Sequence, residues 1–345
     1  MFDGGYQPDF AGFKRVLLRQ GEPDRVFFYE LFADREIMEA VLGHPLRDER
    51  DHIAYQLKIG YDYVRTFLPG CAFPTTGLLK AADTAQLSRG QRVFHPGDMG
   101  CIKNWADFEN YAWPKPENFD FSAIERMTRY LPDGMKITLL LGHVLEDAMN
   151  LMGYEGLAIA LYDQPDLVEA LFQKIGETYE AAYKACAQLE STGFLIISDD
   201  LGFKTSTMFA PDMLRRYVFP WYKKYCDVCH AYDVPVVLHS CGNLTEVMDD
   251  LIACGIDAKH SYEDQILPVT EAKRLYGDRW AILGGIDVDF LCRATEAEIR
   301  ERVRTVLDVC MPGGGYALGT GNTVANYIPV PNFLAMIEEG RRWTP

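Results

Sequence analysis

The stretch Val236-Val237-Leu238-His239-Ser240-Cys241-Gly242-Asn243 is an apolar run that ends in a His and a Cys two residues apart, followed by a Gly-Asn turn. In an extended strand, residues i and i+2 lie on the same face, so the imidazole and the thiol are expected to converge at the strand end. Imidazole nitrogen and thiolate sulfur are donors typical of zinc sites. The structural alternative is a strand-end His bonded to a backbone carbonyl beside a buried thiol.

Seven further apolar or β-branched runs share this character, and helical patterns follow most of them. In chain order, the eight runs lie at residues 26–30, 61–67, 136–142, 194–200, 235–241, 256–261, 280–287 and 315–320. Continuous apolar runs of this length are typical of strands buried on both faces of a parallel sheet. Strands that alternate with helices indicate βαβ units, and eight of them favour an α/β fold of the (β/α)8 TIM-barrel type. An open doubly wound sheet is the alternative.

The chain is predicted to form a single domain over residues 1–345, with a long insertion at about 69–133 near the barrel mouth. No change of composition and no linker divides it. A Thr-x-x-Glu capping box at Thr295 predicts the start of a helix that continues to Cys310. Residues 211–232 are predicted to form one helix, kinked at Pro220.

The formal net charge of −16 argues against a nucleic acid or an anionic membrane as partner. There is no apolar run of 18 or more residues, so we predict no membrane span. The nine cysteines are odd in number and scattered, which fits a reducing compartment better than a disulfide framework. We therefore expect a cytoplasmic protein that acts on a small-molecule substrate.

Polar residues gather at the carboxyl ends of the eight runs, which is the face where TIM barrels carry their active sites. These residues are Glu30, Arg65, His143, Asp199, Asp200, His239, Cys241, His260, Glu263, Asp287, Thr320 and Asn322.

Two kinds of chemistry are predicted within this set. Adjacent carboxylates raise each other's pKa and can prepare a general acid or base, so Asp199 and Asp200 are predicted catalytic residues. Glu263, which follows the run at 256–261, is the third predicted catalytic residue. For Asp199 and Asp200, a helix cap beside a solvated carboxylate is the alternative. Catalytic zinc needs three protein ligands and an open position, so His239 and Cys241 need a third donor. Glu263 is the predicted third ligand, with Glu30 as the other choice. The residues predicted to bind substrate are Glu30, Arg65, His143, His260, Asp287 and Asn322.

Taken together, the motifs resemble those of the uroporphyrinogen decarboxylase superfamily over about residues 24 to 342. The matching segments, in family order, are Ser198-Asp199-Asp200-Leu201-Gly202, Ala210-Pro211-Asp212-Met213, His239-Ser240-Cys241-Gly242-Asn243, Gly284-Gly285-Ile286-Asp287 and residues 313–322. The resemblance implies a (β/α)8 barrel, in agreement with the count of strands.

One branch of that superfamily comprises the true uroporphyrinogen decarboxylases. They carry an Arg-Gln-Ala-Gly-Arg-Tyr motif after the first strand and an Asp near the end of the second. Here the corresponding segments read Leu31-Phe32-Ala33-Asp34-Arg35 and Val64-Arg65-Thr66-Phe67. A polycarboxylate substrate is physically unfavourable for a chain of charge −16 that lacks the arginine pair.

The other branch comprises corrinoid-dependent methyltransferases, which resemble this chain more closely. In that branch zinc is held by His-x-Cys and by a later Cys at the end of the eighth strand, and it activates an acceptor thiol. His239 and Cys241 match the first two ligands, whereas Gly319-Thr320-Gly321-Asn322 holds no Cys.

The resemblance therefore implies a methyltransferase that moves a methyl group between a corrinoid protein and a small thiol or folate, with zinc and a corrinoid or folate as cofactors. Asp199, Asp200 and Asn322 would hold the ring of a folate. A corrinoid carrier protein would dock at the barrel mouth. The alternatives are a decarboxylase, either of the porphyrin-biosynthetic type or of a smaller acid gripped by Arg65, and a barrel that binds a corrinoid or tetrapyrrole without turnover.

Overall fold

The computed structural model describes residues 5–94, 97 and 99–344. Seven of its nine strands form a parallel sheet in the order β1-β4-β5-β6-β7-β8-β9, and the other two pair as a hairpin. The strands are β1 (Tyr63–Thr66), β2 (Leu79–Ala82), β3 (Gln91–Phe94), β4 (Lys136–Leu141), β5 (Thr192–Ser198), β6 (Val236–His239), β7 (Ala258–His260), β8 (Ala281–Leu283) and β9 (Tyr316–Ala317).

The sheet curls into a barrel because the run at 26–30 lies beside β9. Phe28 forms a parallel bridge with Leu318, supported by hydrogen bonds from Tyr29 N to Leu318 O (2.9 Å) and from Leu318 N to Phe27 O (2.9 Å). The predicted TIM-barrel fold is thus confirmed. The first predicted strand is only this bridge, since the Tyr63 hydroxyl bonds both the N–H and the C=O of Glu30 (2.8 and 2.9 Å) where a neighbouring strand would pair.

Helices follow the barrel strands and cover the outside of the sheet. They are α1 (Phe10–Leu17), α2 (Arg35–Leu42), α3 (Glu49–Ile59), α4 (Trp105–Asn110), α5 (Ser122–Thr128), α6 (Val144–Met152), α7 (Tyr154–Asp163), α8 (Pro165–Ala187), α9 (Pro211–Tyr217), α10 (Phe219–His230), α11 (Met248–Ala253), α12 (Val269–Tyr276), α13 (Val288–Arg293), α14 (Glu296–Cys310) and α15 (Val330–Arg342). Short 3-10 helices lie at Pro116–Asn118 and Thr245–Val247.

Two of the helix predictions can be compared directly with these bounds. The capping box of Thr295 and Glu298 is present at the start of α14, as predicted. The helix predicted over 211–232 is instead two helices, α9 and α10, which meet at Val218. Pro220 occupies the first turn of α10, where its missing N–H costs no helical hydrogen bond.

The amino end of the barrel is closed by α1. Its Phe13 is fully buried, and the ring centroids of Tyr63 and Phe194 lie 5.5 and 5.7 Å from that of Phe13. The rings of Tyr63 and Phe194 in turn meet edge to face at 5.0 Å. Aromatic rings thus fill this end of the barrel, and the opposite end, where the strands finish, is left for a site.

The segment between β1 and β4 carries the hairpin β2–β3, α4 and α5. The hairpin is tied to the loop after β9, because Asn326 donates to Asp83 Oδ2 (2.7 Å) and accepts from Arg92 (2.5 Å). That loop lies at the carboxyl end of the barrel, so the turn of the hairpin is held at the same end.

Two sequence expectations concern the chain as a whole. In the part of the chain that the structure describes, no helix combines the length and the apolar character that crossing a membrane requires. All nine cysteines lie in this part, and each is a free thiol.

We expect Phe13→Ala to lower the free energy of unfolding by about 3–5 kcal/mol, since it empties a fully buried aromatic site. Urea denaturation followed by circular dichroism measures the change. Phe203→Ala is the control, because Phe203 is 67% exposed and its loss is expected to cost no more than about 0.5 kcal/mol. Equal losses of unfolding free energy in the two variants would contradict the role of the Phe13 ring in filling the amino end of the barrel.

Candidate metal centre

Three side chains bring metal-type donor atoms together at the carboxyl end of β5 and β6. They are Asp200, His239 and Cys241, which we call the donor group, and their donor atoms all lie within 4.8 Å of one another. The Sγ of Cys241 lies 3.6 Å from His239 Nε2, and that nitrogen lies 3.9 Å from Asp200 Oδ1. Zinc bonds of 2.0–2.3 Å at tetrahedral angles separate donors by about 3.3–3.8 Å, so the residues fit one zinc ion with little rearrangement.

The backbone around these donors depends on two glycines. Gly242 has φ 83°, in the left-handed region, and a Cβ there would lie 2.3 Å from the carbonyl carbon of Gly202. The turns after β5 and β6 therefore touch backbone to backbone, which glycine alone permits. A further hydrogen bond, from Cys241 N to Asp200 Oδ1 (2.8 Å), fixes the two turns relative to each other.

The orientation of His239 follows from a chain of hydrogen bonds. His260 Nε2 lies 3.0 Å from the carbonyl oxygen of Thr320, and His239 Nδ1 lies 2.9 Å from His260 Nδ1. Burial lowers the pKa of His260 to about 3 and that of His239 well below its usual value, so both rings are neutral. Because a carbonyl only accepts, His260 carries its hydrogen on Nε2 and accepts at Nδ1. His239 then donates from Nδ1 and directs the lone pair of Nε2 toward Cys241 and Asp200.

The Cys241 sulfur receives two hydrogen bonds from neighbouring loops. Asn322 Nδ2 donates at 3.1 Å and Ser261 Oγ at 3.5 Å. Burial raises the pKa of this thiol to about 12, and the carboxylate of Asp200 adds to the rise. A cation bound here would stabilise the thiolate, since thiol ligands bind metals deprotonated.

The two adjacent carboxylates after β5 face different surroundings. Asp199 is fully buried and accepts from Leu145 N (2.7 Å), Glu146 N (2.9 Å) and Tyr222 Oη (2.7 Å). It thereby holds the first turn of α6, which matches the helix-capping alternative for this residue. Burial raises the pKa of both carboxyls, and hydrogen bonds oppose that rise. Asp200, predicted as a catalytic residue, is a member of the donor group.

Glu263, predicted as the third ligand, is not a member of the donor group. It lines a cleft of about 670 Å³ that also contains Cys241, Asn322 and Asp287. Asp287 caps α13 by accepting from Phe290 N (3.1 Å). Of the predicted substrate-binding residues, Asn322 and Asp287 therefore share a cleft with a donor sulfur.

The other predicted residues occupy separate surroundings. Both oxygens of the buried Glu30 bond Thr320, at its backbone N (2.7 Å) and its Oγ1 (2.6 Å). His143 contacts Glu146 at 3.3 Å, and nearby carboxylates raise its pKa to about 9 against the effect of burial. His260 supports His239 and does not face the cleft. Arg65 lies on β1, in a different pocket.

Sequence reasoning missed Lys259, which lies between two strand-end residues that it did find. Its buried ammonium donates to the carbonyls of Ser240 (3.3 Å), His260 (3.3 Å) and Ser261 (2.7 Å), and burial lowers its pKa to about 8. It contributes a positive charge beside Cys241 and Asp200. The available signal was a lone Lys within the predicted strand 256–261.

Comparisons with known proteins agree with this architecture. The sequence profile described as Uroporphyrinogen decarboxylase (URO-D) matches residues 99–343. Methylcobamide:CoM methyltransferase MtaA of Methanosarcina barkeri is 23% identical over 165 residues, which cover 48% of this chain and 47% of that protein. Uroporphyrinogen decarboxylase of Alkalilimnicola ehrlichii is 23% identical over 267 residues, covering 71% and 68%. The chain thus spans about half the length of the methyltransferase and two thirds of the decarboxylase.

A solved structure shows the same fold over nearly the whole chain. The methyltransferase from Methanosarcina mazei superimposes with a TM-score of 0.71 at 17% identity, covering 97% of this chain and 98% of that one. At this identity the likeness establishes the barrel architecture alone.

The hydrogen-bond chain predicts one tautomer for each histidine. We expect ¹⁵N NMR of the imidazoles to show hydrogen on Nδ1 of His239 and on Nε2 of His260, because the Thr320 carbonyl can only accept. His230 is the control: it is half-exposed and bonds Asp257 at 2.8 Å, so it should gain a second proton as the pH falls. Hydrogen on Nε2 of His239 would contradict the assignment.

Proposed function

Since the chain belongs to the uroporphyrinogen decarboxylase (URO-D) family, we propose that it is a zinc-assisted methyltransferase, which moves a methyl group between a corrinoid protein and a small thiol or folate. The observation that carries this proposal is the donor group of Asp200, His239 and Cys241, with the lone pair of His239 directed into it. Three protein donors are the number that catalytic zinc sites use, and they leave a fourth position for a substrate.

Zinc held by these residues would lower the pKa of an acceptor thiol, so that the thiolate exists at neutral pH. In the methyl transfer itself, a bond forms from the acceptor sulfur to the methyl carbon while the cobalt–carbon bond breaks, and its electron pair stays on cobalt. The protein's part is to orient the acceptor in the cleft beside Cys241 and Asn322 and to shield the thiolate from water.

The charge of the cleft favours an acceptor without a negative charge. Its lining residues include four carboxylates and a single basic side chain, Arg293, which already pairs with Asp289. Asp264 pairs with Arg302, so Glu263 and Asp287 leave the cleft net negative. A neutral or cationic thiol is therefore a better acceptor than an anionic one such as the coenzyme M of the named relatives. A folate acceptor has less support, because the oxygens of Asp199 already accept three hydrogen bonds.

A corrinoid carrier protein would dock at the insertion between β1 and β4. Large apolar side chains are between 45% and 56% exposed there, and the hairpin that carries three of them is held at the mouth by Asn326. These side chains are Leu78, Leu79, Val93, Phe94, Met99 and Trp105. Exposed apolar surface on this scale is typical of an interaction site.

A decarboxylase acting on a small acid is the second candidate, and one observation favours it. Arg65 has no carboxylate partner among the described residues and could hold the carboxylate of such a substrate. Release of carbon dioxide from a small acid, without methyl transfer, would support this function and overturn the first.

The third zinc ligand can be identified by elemental analysis of protein supplied with zinc. We expect about one zinc per chain in the wild type, as in mononuclear catalytic sites. Asp200→Ala should weaken zinc binding by more than the roughly 10–100-fold that follows loss of a supporting residue. Glu263→Ala is the matched control and should keep its zinc. The reverse pattern would make Glu263 the ligand, and no zinc in the wild type would overturn the metal centre.

The methyl transfer is tested with methylcobalamin as donor and with two acceptor thiols, one neutral and one anionic. We expect the zinc-loaded protein to demethylate methylcobalamin with 2-mercaptoethanol faster than with 2-mercaptoethanesulfonate, because the cleft is net negative. The cobalamin absorbance spectrum follows the reaction. Cys241→Ala should abolish it. Activity that persists in this variant would remove Cys241 from the mechanism, and preference for the sulfonate would contradict the charge argument.

A further inference from the structure

Arg65 is an arginine whose cationic group has aromatic neighbours and no counter-ion. Its guanidinium carbon lies 4.9 Å from the ring centroid of Phe32 and 4.6 Å from that of Phe67. The side chain of Arg65 makes no hydrogen bond or ion pair within the described residues, and burial lowers its pKa to about 10. A largely desolvated cation without a partner is costly, which points to a ligand that completes it.

The other arginines around Arg65 differ from it because their charges are paired. They line the same outer cleft of about 550 Å³, and each has a carboxylate partner. Arg35 pairs with Glu39 (2.8 Å), Arg47 with Asp51 (3.0 Å) and Arg126 with Glu49 (2.7 Å). Arg65 is therefore the arginine of this cleft whose N–H donors remain for an incoming group.

Behind Arg65 lies a small inner pocket of about 60 Å³ with unused polar groups. Tyr55 and Tyr61 line it, both residues are 2% exposed or less, and neither hydroxyl oxygen has a hydrogen-bond partner in the described structure. The amide oxygen of Gln56 is without a partner as well. Buried polar groups are normally bonded, so several in one pocket indicate a polar occupant.

The size and the donors of the inner pocket define that occupant. The volume of about 60 Å³ exceeds the roughly 10–15 Å³ that one water molecule needs, so a carboxylate group fits. Burial keeps both phenols protonated, so they are donors, and a guanidinium beside them matches the two oxygens of a carboxylate. Burial raises the pKa of Glu30 in the pocket wall to about 8, against the opposing effect of the hydrogen bonds from Thr320, so this carboxyl group does not repel an anion at neutral pH.

We propose that this pocket binds the carboxylate of a small organic acid, with Arg65 as the counter-ion and the hydroxyls of Tyr55 and Tyr61 as further donors. The outer cleft receives the rest of the acid. The pocket does not depend on a metal, so it applies whether the barrel transfers methyl groups or removes carbon dioxide.

Isothermal titration calorimetry with propionate, at constant ionic strength set by sodium chloride, tests the pocket. We expect saturable binding to the wild type and about a tenfold or greater loss of affinity in Arg65→Met, the change expected for a hydrogen bond to a charged group. Arg274→Met is the matched control, because Arg274 lines neither cleft and already pairs with Glu271, and the affinity of this variant should equal that of the wild type.

A double Tyr→Phe variant and a second anion provide two further tests of the pocket. Tyr55→Phe with Tyr61→Phe removes both hydroxyls and preserves the rings, and should also weaken propionate binding even if Arg65→Met fails to fold. Phosphate at the same ionic strength should bind more weakly than propionate. Equal binding of propionate to the wild type and Arg65→Met, no saturable binding, or tighter binding of phosphate would each overturn the carboxylate site. Arg65→Met should retain its zinc, so this result is separate from that of the metal centre.

Discussion

A buried chain of hydrogen bonds joins the donor group to the far side of the barrel. It runs from His239 on β6 to His260 on β7, then to Thr320 after β9, and ends at Glu30 beside the first strand. Four of the eight strand ends are thereby connected through side chains as well as through the sheet. All four members are buried, so a broken link would leave unsatisfied groups that each cost about 1–3 kcal/mol.

The same chain sets the chemistry of the mouth. The Thr320 carbonyl only accepts, so the two neutral imidazoles can donate in one direction alone, from His239 to His260 and from His260 to Thr320. That direction leaves the Nε2 lone pair of His239 free. Residues that hydrogen-bond to a metal ligand in this way orient that ligand in many proteins. The barrel closure that places Thr320 beside Glu30 and the donor group that includes His239 are thus parts of one network.

The sequence predicted the parts of this arrangement that depend on periodicity. Apolar runs located the strands, and the i, i+2 rule placed His239 and Cys241 on one face, as the structure has them. Whether Asp200 or Glu263 lies beside His239 and Cys241 as the third donor depends on loop geometry. Gly242 and Gly202 press the turns after β5 and β6 together, which carries Asp200 to His239, and no spacing rule encodes that contact. The hydrogen bonds between Glu30 and Thr320 join residues 290 positions apart, and no sequence pattern predicts such a contact either.

Lys259 and Arg65 are cations with contrasting surroundings, the first buried and the second partly exposed. Lys259 has three carbonyl acceptors, so its desolvation is compensated within the protein and it stabilises the strand ends beside Cys241. Arg65 has phenyl rings on two sides, and such contacts recover only about 0.5–2 kcal/mol of the cost of burying a guanidinium. A lysine satisfied by its own backbone has a structural explanation. An arginine left uncompensated beside orphaned hydroxyls does not, and a ligand that brings its own negative charge is the simplest way to balance it.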